Sequence, residues 1–480
     1  MELDGPDTDF ACMNRQPTTS RYQPEPRQRV GLAARKAAAA MLERIVDRHQ
    51  TFDAVTNEKS GHGGYQALIA KDRALVRAIL LTALRHRGRL EFVLLGALDR
   101  KPPQKARHLL HTLHVAAAQI LYMDVPDSAA VNLAVTALRE DRRSSRFAAM
   151  ANAVLRRISR EKEAFLDKAN AWQLAFPKWL ADLIRRDYGQ EKAAAIAAMI
   201  AEEPLLDLTL RSGLSREYRD KLVKELQGRL LPTGSVRLDT RRPVEQLPSY
   251  DEGTWWVQDA ASALPARLLG PVEGLHIADL CAAPGGKTAQ LITSGAQVTS
   301  VDISSARLAR LKQNLTRLNL SAEIVEADIF EWQPDRKFDA ILLDAPCSST
   351  GTMRRHPDVM WVKTAEDITE LATLQRRMIS RSAELLKPGG TLIYANCSLL
   401  KQEGEDIVAE IIKSSSELEF IPLKAGVHKD LEQFINKQGT LRTLPSDLPA
   451  KQLGEPDSDK RHGGMDGFFA ARFRKQGAGN

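Results

Sequence analysis

The 480-residue sequence has little cysteine, four residues in all, and few aromatics, which make up 5% of it. None of the four cysteines stands in a C-x-x-C pair, which argues against a disulfide scaffold or a structural zinc and fits a reducing cytoplasm. Long apolar runs are missing too. No stretch reaches the ~18 residues of a membrane span, and the acidic, Pro-rich start lacks the basic-then-apolar order of a signal peptide. No membrane association is therefore expected, and no resident metal.

What is present is an ordinary globular composition, 43% hydrophobic and 27% charged, in a chain long enough for two or three domains. The formal charge of +7 favours a polyanionic partner. It is also concentrated: from Lys71 to Leu110, ten Lys or Arg face three Asp or Glu. Arg85, Arg87, Arg89, Arg100, Lys101, Lys105 and Arg107 are thus candidates to track an RNA backbone, with Arg354 and Arg355 as further candidates near a cysteine. Most charge runs are merely solvated surface, so the case rests on their clustering.

Residues 1–28 lack a hydrophobic period and read as a mobile tail. From Val30 to about Glu163 helical stripes recur, such as Leu109, Leu113, Ala116 and Ile120, and predict a helical bundle over 29–163. Residues 164–246 read as a mainly helical linker, with Pro177 in the first turn of one helix. From 247 to 475 short apolar strands alternate with amphipathic helices, the sequence form of an open α/β sheet. Strands are expected at 275–280, 297–303, 323–327, 338–343 and 391–395, with 467–473 as a closing edge strand.

A glycine turn follows the first of these strands. Cys281, Ala282, Ala283, Pro284, Gly285, Gly286, Lys287 and Thr288 end like a phosphate loop, but Cys281 replaces its first glycine and Pro284 removes a backbone donor. A nucleoside without phosphates suits the turn better. Asp302 after the second strand can take both ribose hydroxyls, and Asp328 after the third can accept from an adenine amine. Each acid alone is equally at home as a turn residue or helix cap. With Asp344 they form a negative rim at successive strand ends, which favours a cationic ligand such as S-adenosylmethionine.

Two further strand ends carry thiols, Cys347 in Asp344-Ala345-Pro346-Cys347-Ser348 and Cys397 in Tyr394-Ala395-Asn396-Cys397-Ser398. In a parallel sheet such ends face one crevice, so two thiols can meet over one substrate. Cytosine C5 is a poor nucleophile, and a thiolate added at C6 turns the ring into an enamine. After methylation the C5 proton must leave and the adduct collapse, which gives a second acid/base group a task. Asp344 is placed to hydrogen-bond the N3/N4 edge. Cys281 reads as packing or pocket lining, and Cys12 has no assigned role.

The motifs Cys281 to Thr288, Asp344-Ala-Pro-Cys-Ser-Ser-Thr-Gly351 and Tyr394-x-x-Cys397-Ser398 resemble those of S-adenosylmethionine-dependent RNA cytosine-C5 methyltransferases. The chain is most similar to their bacterial RsmB/Sun/Fmu type, in which a NusB-like helical domain precedes a Rossmann-like α/β domain. Segments 131–135 and 147–157 are similar to the end of the NusB-like part, and 256–262, 354–358 and 464–469 to the catalytic part. The resemblance implies methylation of small-subunit (16S) ribosomal RNA by a cytoplasmic monomer, on naked RNA or an assembly intermediate. It makes Cys397 the nucleophile, Cys347 the residue that promotes release, and Cys281 to Lys287, Asp302, Asp328 and Asp344 the cofactor positions. One departure is Asn396, where the family usually has Thr; altered tuning rather than lost activity is expected. A transfer-RNA cytosine-C5 methyltransferase and a catalytically silent RNA-binding adaptor stay open as alternatives.

Overall fold

The computed structural model describes residues 30–100, 103, 105–240, 242–424, 430–454, 456 and 460–477. The expectations for residues 1–28, Cys12 and Lys101 lie outside these.

The N-terminal part is helical. Its centre is the helix Arg107–Tyr122, whose Leu109, Leu113, Ala116, Ala117 and Ile120 are all buried. Helices Leu32–Arg48, Ala70–Arg85, Arg87–Ala97, Asp127–Glu140 and Ala148–Arg160 pack around it in one core. Small residues let the backbones approach: Ala34, Ala37, Ala38 and Ala39 supply the buried face of Leu32–Arg48. A short helix, Phe52–Thr56, follows, capped by Thr51 Oγ1, which accepts from the Ala54 amide at 3.2 Å.

The middle part is mainly helical but also holds a small sheet that the sequence did not predict. Pro177 is the cap residue of helix Lys178–Ile200 rather than its first helical residue. Beyond that helix come a further helix, Arg216–Glu225, and four short strands. Strands β1 (Leu206–Leu210), β2 (Arg229–Leu230), β3 (Val236–Leu238) and β4 (Trp255–Val257) form an antiparallel sheet in the order β2-β3-β1-β4. Its strands are two to five residues long, too short for alternation to show. Leu208 of β1 pairs with Val257 of β4, so this small sheet extends past position 247, where the catalytic part was expected to begin.

The large sheet comprises β5 (His276–Leu280), β6 (Gln297–Asp302), β7 (Glu323–Glu326), β8 (Phe338–Asp344), β9 (Leu386–Asn396), β10 (Leu418–Phe420), β11 (Leu441–Thr443) and β12 (Phe468–Lys475). Its order is β10-β12-β9-β8-β5-β6-β7, with β11 also paired to β12. Strands β5 to β9 run parallel, and the apolar runs of β5, β8 and β9 are buried at the centre of the sheet. The chain builds outward from β5 through β6 to β7, then returns to β8 on the other side of β5. That reversal opens a crevice at the carboxyl ends of the strands. The expected closing edge strand is instead interior: β12 runs antiparallel to β9 on one side and to β10 and β11 on the other. Phe468, Phe469 and Phe473 are buried, which explains why so apolar a tail is covered on both flanks.

Candidate active site

Parallel register brings the two thiols together. Asp344 pairs with Ala395 at the end of β8 and β9, and the Ala345 amide donates to the Ala395 carbonyl at 2.8 Å. From that bond each chain runs two residues further to its cysteine. The Sγ atoms of Cys347 and Cys397 lie 3.4 Å apart, hydrogen-bonding distance for thiols and well beyond a disulfide bond. Their shared proton splits their acidities. The hydrogen bond from Cys347 holds the Cys397 thiol below its ordinary range, against the opposing effect of burial. Bonding to Cys397 and burial push Cys347 well up. The two sulfurs can therefore share a single proton.

The turns behind the sulfurs are held by a polar network that the sequence did not reveal. The Asn396 side chain donates to the Glu403 carbonyl at 2.6 Å and to the Tyr394 hydroxyl at 3.0 Å, and accepts from the Ser398 amide at 3.0 Å. Asn at this position thus braces the Cys397 turn. Behind it, helix Lys178–Ile200 packs on Leu399 and Leu400, and Asp187 accepts from the Lys401 amide at 3.0 Å.

Two cavities meet at Cys397. One, of about 730 Å³, is lined by Cys281, Asp302, Ile303, Asp328, Phe330, Asp344, Cys347 and Cys397. Thr51 and Asp53 of the helical part also reach its wall. The other, of about 390 Å³, is lined by Trp256, Gln258, Ala282, Ala283, Pro284, Gly285, Gly286, Lys287, Arg317, Arg355 and Phe468, and shares Asp344 and Cys397 with the first. The glycine turn is thus the partition between them. Cys281 takes a positive φ of 60°, and Gly285 one of 99°, where an added Cβ would stand 3.0 Å from Leu311.

Asp302 is nearly buried, and its oxygens accept from the amides of Ala283 at 3.3 Å and Ser304 at 3.1 Å. The helix that follows is capped by Ser304 rather than by Asp302. Asp328 is exposed and accepts from the Phe330 amide at 2.9 Å. Asp344 accepts from Lys287 Nζ at 2.7 Å. Burial pushes the Cys281 thiol up to about 12, so it stays protonated as a wall residue. Asp279, at the floor of the smaller cavity, is raised by burial to about 7, against the Thr288 hydroxyl bonded to it at 2.6 Å. A nucleoside with a cationic sulfonium fits the larger cavity: carboxylates stand at the ends of β6, β7 and β8, and Ile303 offers an exposed apolar face.

The arginines correct the expected RNA surface. Arg85, Arg87 and Arg354 are buried, at 7%, 9% and 1% exposure, and are not available to a phosphate. Arg85 donates to the Arg354 carbonyl at 2.9 Å, Arg87 lies over the Trp361 ring at 5.7 Å, and Arg354 donates to the Gly463 carbonyl at 3.1 Å. They fasten the helical part to the loop that leaves Cys347. Two more bonds join the same surfaces: Trp361 Nε1 to the Leu84 carbonyl at 2.9 Å, and the Phe52 amide to Asp358 at 2.8 Å. Arg355 remains half-exposed in the smaller cavity, paired with Asp466. Arg89 is half-buried, while Arg100, Lys105 and Arg107 are exposed.

A largely parallel sheet with a nucleoside-sized acidic cavity, a glycine turn and a thiol pair beside a second cavity lined by aromatic and charged side chains fits an RNA methyltransferase. The comparisons narrow that class. Residues 266–474 match the model for 16S rRNA methyltransferase RsmB/F, and residues 32–160 match the NusB family. Ribosomal RNA small subunit methyltransferase B of Vibrio vulnificus (strain YJ016) is 35% identical over 389 residues, covering 78% of this chain and 89% of that protein. Its counterpart in Klebsiella pneumoniae (strain 342) is 35% identical over 396 residues, covering 80% and 90%. Among solved structures, PH0851 covers 92% of this chain and 98% of its own at a TM-score of 0.67 and 22% identity. A methyltransferase homolog from Pyrococcus horikoshii covers 64% and 97% at a TM-score of 0.52 and 25% identity. The chain belongs to the ribosomal RNA small subunit methyltransferase B family, an S-adenosylmethionine-dependent enzyme family with a NusB domain in front of its α/β domain. Among the described residues no helix is long and apolar enough to cross a membrane.

Proposed function

We propose that the chain methylates C5 of a cytidine in 16S ribosomal RNA through a covalent bond from Cys397 Sγ to C6. The observation that carries this reading is the sulfur pair at 3.4 Å on the line where the two cavities meet. S-adenosylmethionine, when bound in the acidic cavity, supplies an electrophilic methyl group. Cys281, Asp302, Asp328 and Asp344 would hold it there, with the glycine turn at its edge. The base enters from the other side, extruded from a looped or single-stranded region, because A-form duplex hides its edges. Tyr250, Arg317 and Arg355 line that cavity with an aromatic ring and cationic groups that a nucleotide can use.

In the reaction the Cys397 thiolate adds to C6 and C5 becomes the nucleophile. Asp344, held by Lys287, faces both cavities and is placed to bond the N3/N4 edge as electron density shifts there. Once C5 has taken the methyl group, its proton leaves to water, the C5=C6 bond re-forms, and the C6–S electron pair returns to Cys397, whose leaving sulfur is met by a hydrogen bond from the Cys347 thiol. The choice of Cys397 over Cys347 as the attacking group rests on the family resemblance.

Labelled S-adenosylmethionine and unmodified small-subunit RNA test the reading. Cys397→Ala is expected to bind donor and transfer no label, and full activity in that variant would refute the assignment. Cys347→Ala is expected to leave a protein–RNA adduct that survives denaturing electrophoresis. Label appearing in transfer RNA and not in 16S RNA would favour the transfer-RNA alternative.

A further inference from the structure

Six residues beyond Cys397 lies a carboxylate with no part in the scheme above. Glu403 is fully buried, at 0% exposure. Its Oε1 accepts from the Ser348 amide at 2.9 Å and from Gln375 Nε2 at 3.0 Å. Its Oε2 accepts from the Ser348 hydroxyl at 2.5 Å and the Ser398 hydroxyl at 2.6 Å. Four donors fill the acceptor capacity of an ionised carboxylate. Ser348 follows Cys347 and Ser398 follows Cys397, so one side chain grips both turns one residue past each sulfur. Its own backbone is gripped in return: the Glu403 carbonyl accepts from the Tyr394 hydroxyl and the Asn396 amide, each at 2.6 Å. An added Cβ at Gly404 would meet Arg442 at 2.7 Å and the Phe469 ring at 2.9 Å, so that glycine lets the carboxylate reach inward.

We propose that Glu403 is a positioning residue that locks the spacing of the two thiols and keeps the proton on Cys347, leaving Cys397 as the sulfur that attacks. This deepens the covalent reading above and rests on it. The lock follows from geometry, since no motion of either turn leaves the carboxylate's bonds intact. The proton bias follows from charge placed asymmetrically: two of the carboxylate's bonds, one of them from the backbone amide next to Cys347, come from Ser348, and only one comes from Ser398. What raises Cys347 is first its bond to Cys397, then burial, and the nearby Glu403 charge adds to both. Unlike Asp344, Glu403 lines neither cavity and acts only through its neighbours.

Two variants separate charge from reach. Glu403→Gln keeps the size and removes the charge, whereas Glu403→Asp keeps the charge and shortens the reach. Iodoacetamide labelling of the free enzyme across pH, read at each cysteine by peptide mass spectrometry, is the readout that a purely structural role would not move. Wild type and Glu403→Asp are expected to label Cys397 first, and Glu403→Gln to label Cys347 at lower pH than wild type does. Both variants are expected to lose turnover by about 100-fold, as for a misplaced reacting group, and to accumulate RNA adduct with donor affinity unchanged. Should these variants fold poorly, Ser348→Ala combined with Ser398→Ala removes two donors and spares the charge; it should slow turnover and accumulate adduct while Cys397 still labels first. Wild-type labelling in Glu403→Gln, or turnover within about twofold of wild type, would overturn the proposal. A Cys397→Ala enzyme that still methylates would instead remove the covalent reading itself.

Discussion

The paired cysteine turns and the basic stretch from Lys71 to Leu110 look equally suggestive in sequence, yet the fold treats them in opposite ways. Around Cys347 and Cys397 each motif residue stands where its neighbours in sequence put it, at the carboxyl end of a parallel strand. In the basic stretch, position depends on which face of a helix meets another domain, and sequence charge does not report that. Arg85 and Arg87 face inward to the Arg354–Trp361 segment, while Lys105 faces solvent. A strand end fixes direction; a charge run does not. The difference also places the helical domain mechanically, because the segment it grips begins a few residues beyond Cys347.

The largest test of that link is Trp361→Ala. The indole donates to the Leu84 carbonyl and packs against both the helical core and the core behind the active-site loops. Its removal is expected to destabilise the protein by about 3 kcal/mol in denaturant unfolding. Methylation should fall as well, because the loop behind Cys347 loses its anchor. A loss below about 1 kcal/mol would mean that the two regions dock independently of this contact.

Within the strand-end region, Asp302→Ala sharpens the reading of the acidic cavity. Sequence alone left Asp302 divided between helix capping and ribose binding. The helix cap proves to be Ser304, and Asp302 instead holds the glycine turn through Ala283. Calorimetry is therefore expected to show donor affinity falling about tenfold or more, from a lost charge-assisted contact and a loosened turn. Unchanged affinity would confine Asp302 to bracing the turn.

What was legible in the sequence was whatever rests on local order. Strands β5 to β9 were recoverable because buried parallel strands are continuous apolar runs, and the meeting of the thiols followed from register. The small sheet of β1 to β4 was not, since strands of two to five residues carry too little alternation. Nor was the interior place of β12, which depends on β10 and β11 arriving on its far side. Glu403 was invisible for a different reason. An acid just ahead of a helix start is ordinary, and nothing in Lys401-Gln402-Glu403 distinguishes an exposed carboxylate from one saturated by Ser348, Ser398 and Gln375.

The smallest expected effect bears directly on the contrast between regions. If the exposed side of the basic stretch contacts RNA, Lys105→Ala should weaken binding at every sequence and reduce the salt slope of log K by about 1, because one phosphate contact is lost. Arg85→Ala should leave that slope unchanged, because a buried guanidinium releases no counterions. It should lower stability instead, by freeing the Arg354 carbonyl at the domain junction. A salt slope altered by Arg85 and not by Lys105 would reverse the comparison: it would mean that the junction opens on RNA, and that the buried arginines, not the solvated lysine, meet the phosphates.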